Sequence, residues 1–119
     1  MSKKYTLSDI RRAAADVERV MAAIPEQCEI MRRELFRIQE EGEMSGTLSA
    51  VRPYAEIEAD EENVREMIRN LKRKYALAER RLRELRDEEH ELEVALARAK
   101  AAAKREQAAR SERKARVSG

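Results

Sequence analysis

A chain of 119 residues with 42% charged side chains, 3% aromatics and no Trp can bury a stripe of apolar surface but not a round core. Its one cysteine, Cys28, excludes an intramolecular disulfide framework, and no apolar run approaches the roughly 18 to 20 residues of a membrane span. Met1 leads into no signal-peptide core, so a soluble cytoplasmic protein is expected.

The formal charge of +2 is unevenly spread. Residues 98 to 119 hold Arg98, Lys100, Lys104, Arg105, Arg110, Arg113, Lys114 and Arg116 against Glu106 and Glu112, a net of +6 that leaves −4 for the remainder.

In chain order, residues 1–5 carry no structural signal and are expected to be flexible. Thr6 with Asp9 three positions on, or Ser8 alone, supplies the side-chain oxygen that caps a helix. The first helix is predicted over 6–41 on the seam Ile10, Ala14, Val17, Met21, Ile24, Cys28, Met31, Leu35 and Ile38. Pro25 sits inside it. A break there would give three helices, but the seam keeps phase across the proline and Ala22-Ala23-Ile24 offers no cap, which favours one helix kinked at Pro25. Gly42 is expected to close it, and residues 42–52, rich in Gly and Ser, form a loop.

Pro53 fits the first turn of a second helix that no further Pro or Gly interrupts until the terminal Gly119. Its seam runs through Ile57, Val64, Ile68, Leu71, Tyr75, Ala78, Leu82, Leu85, Leu92, Leu96, Ala99 and Ala103. Acidic residues crowd its start and basic ones its end, as the helix dipole favours. Beyond Ala103 the seam fades, and fraying is expected, with a flexible terminus at 116–119.

The two seams predict an all-α fold, an antiparallel two-helix coiled-coil hairpin with an over-long second helix that dimerises into a helical bundle. Folding about residue 46 pairs positions whose numbers sum to 92, setting each a position against a d: Leu35 with Ile57, Cys28 with Val64, Ile24 with Ile68, down to Leu7 with Leu85. Met31 against Glu61 is the one poor layer. The same register brings Arg11 near Glu79, Glu18 near Lys72 and Arg32 near Glu58. It makes 53–85 the paired part of the second helix and 86–115 a projecting, basic, Ala-rich part.

Leu92, Leu96, Ala99 and Ala103 on that projecting part are therefore candidate partner-binding residues. So are Val20 and Met67, which with Ala13 and Gln27 form the less charged flank of the hairpin, where a second hairpin or a partner helix can pack. The eight cations from Arg98 to Arg116 form a candidate basic patch for phosphates, without aromatic side chains for stacking.

No catalytic, cofactor or metal site is predicted, and no small-molecule substrate. His90 is the only histidine, its acidic neighbours lie on a solvated face, and HExxH is absent. Cys28, at an a position, reads as a small core hydrophobe that meets its twin only in a parallel or offset dimer. In architecture and composition alone, the chain resembles stalk or escort proteins of bacterial secretion machines, phage scaffolding proteins and small phage-encoded inhibitors. The expected function is a non-catalytic interaction module (adaptor, escort, scaffold or inhibitor) that forms a homodimer and docks on a larger protein. The alternative is sequence-independent nucleic-acid binding through the basic end.

Overall fold

The computed structural model describes residues 5 to 118, and among them are two α-helices and no strand: α1, Leu7–Glu43, and α2, Tyr54–Ser118. The helices pack on each other as an all-α hairpin. They divide into two compact units, one of Ala15–Leu82 and one drawn from Met1–Ala14 and Arg83–Gly119. The flexible ends expected at 1–5 and 116–119 fall, for residues 1–4 and 119, outside the described residues.

α1 opens with the capping box that Thr6 and Asp9 foretell. The Thr6 N–H donates to Asp9 Oδ2 at 3.0 Å and the Asp9 N–H to Thr6 Oγ1 at 3.2 Å, pairing two backbone donors that a helix start leaves free. The helix then runs without a break through Pro25. Proline has no N–H to offer the carbonyl four residues back, and the seam residues Ile24 and Cys28 on either side are nonetheless buried.

At its end α1 departs from expectation. Gly42 stays helical, and the left-handed residue is Gly46, with φ of 84°. Gly42 lies beside Ile57, whose Cγ2 would stand at an ordinary contact distance of 3.6 Å from a methyl group at Gly42, and the chain turns only after Glu43. The connection spans 44–53 rather than 42–52. It is a series of tight turns, with Thr47 N donating to Met44 O and Ala50 N to Thr47 O, each at 3.2 Å. The Pro53 carbonyl accepts from the N–H groups of Glu56 and Ile57 to start α2.

Arg52 fastens this connection. Its Nε and Nη2 donate to the two carboxylate oxygens of Glu41 at 2.6 and 3.2 Å, and its Nη1 donates to Asp60. One fork thus ties the end of α1 to the first turns of α2.

The core of the Ala15–Leu82 unit gathers Ile38, Ile57, Val64 and Ile68, with Met31 and Leu35 packed against them. This is a register one heptad away from the predicted one. Gly42 lies against Ile57, and Gln39 Nε2 donates to Glu61 at 3.5 Å, so facing positions add to about 99 rather than 92. An a still faces a d, because sliding by seven residues preserves that match. The longer α1 and later loop select this register, and the partners predicted for Leu35, Cys28 and Ile24 are each replaced by residues one heptad further along α2. Arg32 accordingly stands beside Lys72 and Tyr75, not Glu58.

In the other unit Ile10, Ala14 and Leu85 are buried. Arg11 reaches Glu89 (Nε to Oε2, 3.4 Å) and Glu93 (Nη2 to Oε1, 2.9 Å), which corrects the expected pairing with Glu79. α2 therefore still meets α1 at Glu93, eight residues past the expected limit of 85. It remains helical to Ser118. Alanine-rich sequence, the Arg110–Glu106 pair at 2.8 Å and Arg116 in the last turn all favour the helix there.

Candidate docking surfaces

The predicted partner residues fall on two separate surfaces. Val20 and Met67 lie on one flank of the Ala15–Leu82 unit, both exposed, as the charge pattern implied. Two apolar residues that heptad reasoning had passed over join them: Ile30 and Leu77, which sit one position class further out on the same side of each helix. Ile30, Met31, Met67 and Leu71 line an open groove of about 400 Å3, with Gln27, Asn70 and Lys74 at its rim. Val20 and Leu77 line the next groove along, which shares Lys74. The signal that could have found Ile30 and Leu77 is an apolar residue three positions from a g residue, which widens the seam into a face.

On the opposite flank, Pro25, Cys28, Lys72 and Tyr75 border a second groove. Cys28 is a buried free thiol, in keeping with a packing role.

The second surface is the α2 arm, residues 94–118. Leu92, predicted to belong to it, is half-buried in the stretch that α1 accompanies, whereas Leu96, Ala99 and Ala103 are exposed. All eight cations of the basic patch are exposed as well. At 100° per residue they do not share a face: Arg98, Arg105 and Arg116 lie on one side, and Lys100, Arg110 and Lys114 on the other. The loop end adds Leu48 and Val51, both exposed, which sequence reasoning treated only as connection.

Electrostatics follow the arginine pairs. Hydrogen bonds from Arg52 hold Glu41 below the ordinary carboxylate range, and Arg37 does the same for Glu34. Arg69 lowers Glu66, and the Thr6 backbone N–H, followed by its hydroxyl, lowers Asp9. These are exposed groups paired along helix faces, so they set orientation more than strength. His90 is exposed, and among the described residues no three His, Cys, Asp or Glu side chains gather to hold a metal ion. Among them too, no helix is long and apolar enough to cross a membrane. No family model matches this chain, and neither a curated protein nor a solved structure does.

Proposed function

We propose that this chain is a non-catalytic coiled-coil interaction module of the cytoplasm, which docks on a larger protein with an acidic surface through the α2 arm. The observation that supports this is the continuation of α2 from Val94 to Ser118 beyond Glu93, which Arg11 of α1 contacts. A helix of that length without a packing partner is marginal in water, and its alanines supply only part of the missing stability. The arm therefore suits a role in which its exposed Leu96, Ala99 and Ala103 are covered by another protein and its cations meet carboxylates.

Nucleic-acid binding is the second reading, supported by the net +6 of residues 98–119. The scatter of the cations around the helix, and the lack of any aromatic residue after Tyr75, favour the protein partner.

The test keeps the full chain. Leu96→Asp with Ala103→Asp changes two exposed positions and should leave the circular dichroism of the hairpin unaltered. Proteins retained by the immobilised wild type from an extract of the source organism should be lost by the variant, as quantified by mass spectrometry. Equal retention by both chains would sink the proposal, and retention of duplex nucleic acid alone would favour the second reading.

A further inference from the structure

The open flank of the Ala15–Leu82 unit carries charges that indicate what fits on it. Val20, Ile30, Met67 and Leu77 are 41, 51, 52 and 65% exposed. In the register fixed by Gly42 against Ile57, Ile30 stands level with Met67 and Val20 level with Leu77. Arg37 and Asp60 stand level with each other at the loop end of this apolar stretch. Asp16 and Arg81 do so at the other end, lining one groove with Val20 and Leu77.

A two-fold interface needs a surface complementary to itself. With the axis parallel to the helices, α1 of one copy lies over α2 of the other at equal height. Ile30 then meets the second copy's Met67, and Val20 its Leu77. Asp16 meets Arg81, and Arg37 meets Asp60, each an opposite-charge pair. Lys74 falls on Ala23, so no cation is buried against a cation. All four charged groups already have partners within the chain. Asp16, Arg37 and Asp60, held by Arg19, Glu34 and Arg52, remain 45 to 60% exposed, and exposed groups can take a second partner. The reversed two-fold, with α1 on α1 and Ile30 over Val20, sets Glu34 against Asp16. Like charges then meet, which disfavours it.

We propose that a second copy of this chain covers the Val20, Ile30, Met67 and Leu77 flank, forming a four-helix bundle in which each α1 contacts both α2 helices. This interface is separate from the α2 arm and does not depend on what the arm binds.

Sedimentation equilibrium at micromolar concentration should give twice the 13.8 kDa chain mass. Ile30→Glu with Met67→Glu, both at exposed positions, should give the monomer mass with undiminished helical signal. For geometry, chains carrying either Ile30→Cys or Met67→Cys in a Cys28→Ala background would be mixed and oxidised. The mixed disulfide should form in preference to either like-with-like product. A monomeric wild type, a glutamate variant that still dimerises, or preferential linkage of Ile30→Cys to itself would each overturn the proposal.

Discussion

Gly42 and Gly46 stand four residues apart, and only Gly46 has a backbone that calls for glycine. Gly42 is helical, and a methyl group there would make an ordinary 3.6 Å contact with Ile57 Cγ2. Gly42→Ala should therefore stabilise the chain by about 0.5–1 kcal/mol through helix propensity. Gly46 has φ of 84° and open space on the side where a Cβ would stand, so space is not its constraint. Gly46→Ala should cost about 1–2 kcal/mol from the left-handed backbone alone, with Gly46→Asn less costly. Urea titration of the variants checks both signs. Sequence reading placed the helix stop at Gly42, because either glycine can end a helix and only the left-handed backbone at Gly46 distinguishes them.

Also at this scale, Asp9, Glu34, Glu41 and Glu66 all ionise more readily than in an unfolded chain. Each adds stability that is fully present above its unfolded pKa of about 4 and is lost as pH falls through the lower folded value. Thermal midpoints should thus be level above about pH 5 and decline below about pH 4. Arg52→Ala should flatten part of that decline by removing the partner of Glu41. A midpoint that rises on acidification would contradict the assignment.

At the scale of the element, the heptad seams made both helices and their antiparallel pairing legible. The capping box and the continuity through Pro25 were legible as well. The register was not, because an a/d match survives any slide of seven residues. One clue was present: Met31 facing Glu61 was a poor layer. In the structure Met31 packs against the Ile38, Ile57, Val64 and Ile68 cluster. Glu61 instead meets Gln39 and Arg65, the latter at 2.6 Å. What decides between registers is the loop, where Arg52 bridges Glu41 and Asp60, a link between residues that no periodicity relates. In a Cys28→Ala background, Leu35→Cys with Val64→Cys should cross-link readily within one chain. Leu35→Cys with Ile57→Cys should not, since one heptad is about 10 Å along a helix. The reverse result would restore the predicted register.

For the molecule as a whole, the register sets where support for α2 ends. Reading the sequence put that point at Leu85 and counted Leu92 among the free apolar residues. The Arg11 contacts with Glu89 and Glu93 move it by about two helical turns and leave Leu96, Ala99 and Ala103 as the exposed stripe. The flank residues Val20 and Met67 were legible from their missing charge. Ile30 and Leu77 lie outside the a/d seam, three positions from the g residues Gln27 and Lys74, and only that wider spacing marks them in the sequence. The proposed division of labour, a hairpin that holds and an arm that docks, rests on this boundary. Amide hydrogen exchange along α2 of the full chain tests it most directly. Slow exchange should extend through Leu92, with rapid exchange from about Val94 to Ser118. Protection that stops at Leu85, or that continues unchanged to Ser118, would contradict it.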